Sequence, residues 1–289
     1  MQGSALSEII LPLVLALIMF GMGLSLTRTD FVRLFKLPMP VFAGLFGQLI
    51  ALPLLAFCLV LVLSLPAHLA IGIMVLSACP GGTTSNLISH IARANLALSI
   101  SLTAITTVIC VFTTPLIIRF ALGYFEVESS HFSLLNTTLG LIAISLFPVM
   151  LGLWIRHKAD YLAQRLEPVF RHLAVIFMLL LIVGIAWQER DMMIASFPDV
   201  FVLTFALNVL ATVLGVAIAK LVVLSRRDAV TLGIEIGTQN ASMAILITLA
   251  FLNEPSYAIA CGVYGVTMYI GAFALVWWNK LRDNAMASQ

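Results

Sequence analysis

The sequence predicts an all-α polytopic membrane protein with nine transmembrane helices, and three observations carry the prediction. The chain is 62% hydrophobic and only 10% charged over 289 residues, whereas soluble domains carry roughly 25% charged residues. Its apolar residues run in segments near the length of about 20 residues that an α-helix needs to cross a bilayer. Thirteen of the fifteen Lys and Arg residues fall in alternate connections or at the C-terminal end, the bias expected of cytoplasmic loops. No polar linker or low-complexity stretch divides the chain, so residues 1–289 are read as one membrane domain. The net charge of +2 is scattered over short loops and points to no nucleic acid.

Each span follows from local pattern. Ile9–Leu26 opens the chain. Neither a basic region nor a small-residue cleavage site precedes it, which predicts a transmembrane helix and not a removed signal. The stretch from Leu37 to Ala92 carries no Asp, Glu, Lys or Arg and is too long for one crossing. Turn chemistry at Ser64-Leu65-Pro66-Ala67-His68 splits it into Pro38–Leu63 and Leu69–Ala92. Leu96–Ile118, Phe132–Ile155, Leu173–Gln188 (the shortest), Val200–Lys220, Ala229–Leu252 and Ser256–Lys280 follow. Arg119 and Arg190 share the other side with Glu8, Glu126, Glu128, Glu189, Asp191, Asp199 and Glu254. This places the N-terminus outside and the C-terminus in the cytoplasm, as an odd number of spans requires. Cys58, Cys79, Cys110 and Cys261 all lie in apolar segments without a CxxC pair, and are expected to be small buried apolar residues.

Two of the spans are interrupted. Glu235 is the one carboxylate inside these apolar segments, and it sits in Ile234-Glu235-Ile236-Gly237-Thr238-Gln239-Asn240-Ala241-Ser242. A carboxylate at membrane depth is costly and marks an ion or substrate pathway unless a basic residue pairs with it; no basic residue lies inside any predicted span. Roughly 150 residues earlier stands Cys79-Pro80-Gly81-Gly82-Thr83-Thr84-Ser85-Asn86. Pro80, Gly81 and Gly82 break the third span, and Gly237 permits a break in the eighth. Matching interruptions in two halves of a chain point to a transporter binding site built from inverted repeats. The first repeat is expected over about 9–120 and the second over about 132–281. Broken helices free backbone carbonyls and amides that an ion or substrate can satisfy. Hydroxyl and amide oxygens beside one carboxylate suit a hard cation, sodium above all. Gln48 is equally readable as glue between helices, His90 as an interhelical hydrogen bonder, and the Gly21-Met22-Gly23 run as close packing.

At these residues the chain resembles the bile acid:sodium symporter family. The matching pieces are Met19-Phe20-Gly21-Met22-Gly23-Leu24, Cys79-Pro80-Gly81-Gly82-Thr83-Thr84-Ser85-Asn86, Asn95-Leu96-Ala97-Leu98-Ser99 and Glu235-Ile236-Gly237-Thr238-Gln239-Asn240. The resemblance implies a core domain with two crossing broken helices, over about 69–120 and 229–281 plus the second and seventh helices, and a panel made of the remainder. It implies one sodium held by Ser85, Asn86, Ser99, Thr103 and Glu235. A second would be held by Gln48, Glu235 and Gln239 with carbonyls near Ile236 and Thr238. A small organic anion would lie beside the crossing, touching Thr83 and Asn240. Relatives with ten helices carry one more ahead of the Met-Phe-Gly-Met-Gly span; this chain resembles the nine-helix arrangement. The short loops suggest a bacterial inner membrane.

The function expected is sodium-coupled symport of an organic anion by alternating access, the anion being bile-acid-like, a steroid sulfate or a small carboxylate. A proton-coupled carrier that titrates Glu235 and a non-transporting sensor of the same fold stay open. An enzyme is not expected, because neither a Gly-x-Ser-x-Gly elbow nor a His-Glu-x-x-His pair is present.

Overall fold

The computed structural model describes residues 10–36, 38–127 and 132–287; within these, the side chains of 33–36, Thr83 and 283–287 are not described. Glu8, Ile9 and Glu128, and the side chains of Arg33, Lys36 and Thr83, therefore lie outside the described residues. The described chain is helical throughout. Its helices are α1 (Leu11–Ser25), α2 (Arg28–Lys36), α3 (Pro38–Val62), α4 (Ala67–Ala78), α5 (Thr83–Ile91), α6 (Leu96–Tyr124), α7 (Leu134–Lys158), α8 (Asp160–Gln188), α9 (Arg190–Leu221), α10 (Arg226–Gly237), α11 (Ala241–Phe251) and α12 (Pro255–Ala287). Six of them, α3, α6, α7, α8, α9 and α12, are long and apolar enough to cross a membrane. With large apolar side chains exposed along them, such as Leu180, Val183 and Trp187 on α8, the molecule is a polytopic membrane protein.

Helix ends are closed locally. Ser64, Arg93, Glu126, Val223 and Asn253 each take positive φ just past a helix. Beyond each of them the chain bonds back into the last turn, as in Ala94 N–H to Ser89 O at 2.9 Å and Leu224 N–H to Ala219 O at 2.9 Å. This left-handed cap satisfies terminal carbonyls that would otherwise be orphaned. In α3 and α7 the ladder widens into π-turns at Gly47–Ala51 and Ile142–Leu146. Pro53 and Pro148 follow in the next turn and have no N–H to continue it.

Several sequence expectations need correction. Residues 28–36 form a helix; Thr27 caps it through Asp30, whose Oδ2 accepts from Thr27 N and Thr27 Oγ1, both at 2.7 Å. The sixth span does not begin at Leu173, because α8 already runs from Asp160 and carries the Glu167–Arg171 ion pair (3.5 Å) one turn apart. Cys58 is exposed, unlike Cys79, Cys110 and Cys261, which are buried as expected. The Gly21 and Gly23 expectation holds: a side chain on Gly21 would strike Phe170, and one on Gly23 the backbone of Val149.

The helices pack as one connected body, in which α7 also touches α6 and α8 also touches α12. α1 lies along α7 and α8. α9 lies along α10 and α12, α4 along α12 and α6, and α5 along α6 and α10. Two segments, α4–α5 and α10–α11, are broken where they meet, and the candidate site lies there.

Candidate functional site

The first break covers Cys79–Gly82, between α4 and α5, and the second Thr238–Asn240, between α10 and α11. They pair as a single antiparallel bridge between Gly81 and Gln239. Gly82 N–H donates to Thr238 O at 3.0 Å, and Asn240 N–H donates to Pro80 O at 3.1 Å. Each break thus satisfies backbone groups of the other, as membrane depth demands. Every described glycine has negative φ, so the glycines serve close approach and not left-handed geometry. A Cβ on Gly81 would stand 2.5 Å from Glu235 Oε1, and one on Gly82 3.0 Å from Gln239 O. Gly237 is the last helical residue of α10 and not part of the break. Its missing side chain admits Thr212 of α9.

Glu235 is 1% exposed and is gripped by hydroxyls from two other helices. Ser85 Oγ of α5 and Ser99 Oγ of α6 each lie 2.7 Å from its Oε2. Thr103 of α6 donates to its Oε1. Ser85 Oγ also stands 2.7 Å from Gly82 O, so its single proton serves one acceptor at a time. Asn86 joins one step out, its Oδ1 2.8 Å from Ser99 Oγ. No Lys or Arg of the described residues pairs with Glu235. The five residues expected around a first cation are therefore brought together.

Of the second set, Gln48, Gln239 and the Ile236 carbonyl are joined by hydrogen bonds. Gln48 is 2% exposed in the π-turn of α3. Its Nε2 donates to Gln239 Oε1 at 2.7 Å and to Cys79 O at 3.1 Å. Gln239 Nε2 donates to Ile236 O at 2.8 Å. Thr238 O is turned to Gly82, while Thr238 Oγ1 is buried with no hydrogen-bond partner among the described residues, an unusual condition for a native polar atom. Carboxylate, hydroxyl, amide and carbonyl oxygens are the ligand types of a hard cation. Among the described residues no three His, Cys, Asp or Glu side chains cluster as transition-metal ligands. The residues present thus fit sodium. Each hydroxyl has lone pairs left to ligate a cation, and each amide can turn its oxygen inward.

Asn240 caps α11, its Oδ1 accepting from Met243 N at 3.0 Å. With Gln239, Gly82 and Thr84 it lines a small cavity of about 40 Å³. A larger cavity of about 350 Å³ opens beside Asn86 and is lined by His90, Glu167, Phe170 and Arg171.

Sequence reasoning missed three contributors. Asn208 of α9 donates Nδ2 to Gly237 O at 2.9 Å and to Met268 O at 3.0 Å, while its Oδ1 accepts from Gly271 N at 2.8 Å. Tyr264 of α12 donates to the same Gly237 O at 2.9 Å. Together they brace the carbonyl end of α10. Asn208 was detectable as a lone amide in the apolar run Phe205-Ala206-Leu207-Asn208-Val209. The third is the Cys79 carbonyl, a backbone group that leaves no side-chain signal.

A helical membrane protein in which two broken helices pair around a buried carboxylate and oxygen ligands is the architecture of a secondary transporter. The sodium bile acid symporter family matches residues 12–196, and the chain belongs to that family. It is 31% identical over 253 residues to the probable sodium/metabolite cotransporter BASS1, chloroplastic, of Arabidopsis thaliana, covering 87% of this chain and 62% of that protein. It is 29% identical over 268 residues to the uncharacterized sodium-dependent transporter YocS of Bacillus subtilis, covering 92% and 82%. To the ileal sodium/bile acid cotransporter of Homo sapiens it is 25% identical over 254 residues, covering 87% and 72%.

Proposed function

We propose that this protein is a sodium-coupled symporter of a small organic anion that works by alternating access. The observation that carries the reading is Glu235: a carboxylate at the pairing of two broken helices, facing three hydroxyls and no basic residue of the described chain. One sodium is held by Ser85, Asn86, Ser99, Thr103 and Glu235, and a second by Gln48, Glu235, Gln239 and the carbonyls of Ile236 and Thr238. Two sodium charges are offset by Glu235 and a monovalent anion, which lowers the electrostatic cost of moving the loaded site.

Nine spans follow if α1 and the two broken pairs α4–α5 and α10–α11 join the six long helices. In that arrangement α1, α7 and α8, which lie along one another, make the panel and the other helices the core. The cavities beside the crossing lie between panel and core. Asn240 and Thr83 contact the anion near the breaks. The relatives described as sodium/metabolite and sodium/bile acid cotransporters support the reaction class and leave open whether the anion is a small carboxylate, a steroid sulfate or bile-acid-like. The basic loops support a C-terminus on the cytoplasmic side of an inner membrane.

The test is thermal unfolding of the purified protein in sodium against potassium, for the wild type and Glu235→Ala. A ligand that binds only the folded state raises its stability. Stabilisation by sodium alone, lost in the variant, is the expected result. Equal midpoints in both salts, with uptake that follows pH and not sodium, would overturn sodium coupling in favour of a carrier that titrates Glu235.

A further inference from the structure

Two helices that supply the site run side by side in a fixed register. α6 offers Ser99 and Thr103 to Glu235 of α10, and Ser99 and Glu235 are 136 positions apart. One turn nearer the start of both helices the same offset recurs: Asn95 N–H donates to Thr231 Oγ1 at 2.9 Å, again across 136 positions. A constant offset is what two parallel helices in register give. Asn95, Ser99 and Thr103 are spaced by four, and Asp228, Thr231 and Glu235 by three and four, so each trio lies along one face of its helix.

The contact at Asn95 is more than a helix cap. Its Oδ1 accepts from Leu98 N at 3.1 Å and closes the first turn of α6, a task that Asp or Ser would do as well. Its Nδ2, which the cap does not use, donates to Asp228 Oδ1 at 2.8 Å. Asp228 Oδ2 accepts from Ser225 Oγ at 2.7 Å, so the carboxylate is also held from its own helix end. Thr231 is fully buried, and its hydroxyl stands 3.3 Å from Asn95 O. The turn ahead of Asn95 is tied from a third helix, where Asn279 Nδ2 of α12 donates to Ala92 O at 2.8 Å. A slip of one residue moves a helix about 1.5 Å and turns it about 100°. That is far more than the 2.7 Å bond from Ser99 to Glu235 tolerates. The register therefore decides whether the hydroxyls of Ser99 and Thr103 face the carboxylate at all.

We infer that Asn95 and Asp228 are positioning residues for the cation: their bond sets α6 against α10 and so holds Ser99 and Thr103 on Glu235. The inference rests on sodium coupling as proposed above. The test is the sodium concentration that gives half the rise in unfolding midpoint, measured on the full chain in detergent at constant total salt. Asn95→Asp keeps the cap and sets one carboxylate against another. It is expected to need roughly tenfold more sodium, the scale of effect that partners of metal ligands have. Adding Asp228→Asn restores a donor and an acceptor with their roles exchanged, and is expected to bring the sodium requirement back. A requirement unchanged in Asn95→Asp, or not restored in the double variant, would overturn the inference. Should Asn95→Asp fail to fold, Thr231→Val takes its place, with the same rise expected and an unchanged requirement counting against the register. If the wild type shows no response to sodium, the sodium reading falls by itself and the register is read without a cation. Losses of midpoint from Asn95→Asp and Ser99→Ala that fail to add then support it, and losses that add overturn it.

Discussion

The two breaks do the same mechanical task with different chemistry. The first is built from Pro80, Gly81 and Gly82, residues without side-chain polarity, and its following helix supplies neutral oxygens through Ser85 and Asn86. The second contains no glycine or proline; Thr238, Gln239 and Asn240 carry polar side chains, and the preceding helix supplies the charge of Glu235. The first break is thin so that the second can come close. The second is anchored from outside, because Asn208 and Tyr264 take up the Gly237 carbonyl that a helix ending there would leave unpaired. A cation at the crossing needs one partner's closeness and the other's charge.

Substitutions can separate these contributions. The largest effect is expected from Gly81→Ala, which sets a methyl group 2.5 Å from Glu235 Oε1. Backbone or carboxylate must shift, at a cost of roughly 3 kcal/mol, and sodium-dependent stabilisation should vanish in thermal unfolding. Asn208→Ala strips one anchor of the second break and removes two further bonds to α12, at the Met268 carbonyl and the Gly271 amide. A loss of about 2 kcal/mol is expected, with the first break untouched. Unchanged stability there would show that Tyr264 alone suffices. Asn240→Ala removes the cap of α11 and should cost about 1 kcal/mol of stability. Gly184→Ala is the control of opposite sign: a Cβ there meets nothing within 4 Å, so mid-helix alanine should stabilise by up to roughly 1 kcal/mol.

What the sequence disclosed divides along the same line. The second break was legible because polar side chains and a carboxylate stand out in an apolar run, and the first because Pro-Gly-Gly cannot continue a helix. Which groups meet across 150 residues was not legible from spacing; Ser99 and Thr103 look like ordinary hydroxyls of a spanning helix, and only the resemblance marked them. The span ends were less readable than their centres. α8 begins at Asp160 and not at Leu173 because its first three turns are polar enough to pass for a loop, although Asp160 and the Glu167–Arg171 spacing already suit a helix. Residues 28–36 were readable as a helix in the Thr27-Arg28-Thr29-Asp30 capping pattern.

The reciprocal bonds from Gly82 to Thr238 and from Asn240 to Pro80 act as a rivet through two otherwise separate rods. Neither α4–α5 nor α10–α11 can slide past the other without shearing both bonds. A displacement of Glu235 that keeps these bonds carries the first break with it, so the Ser85 hydroxyl and the Glu235 carboxylate move together.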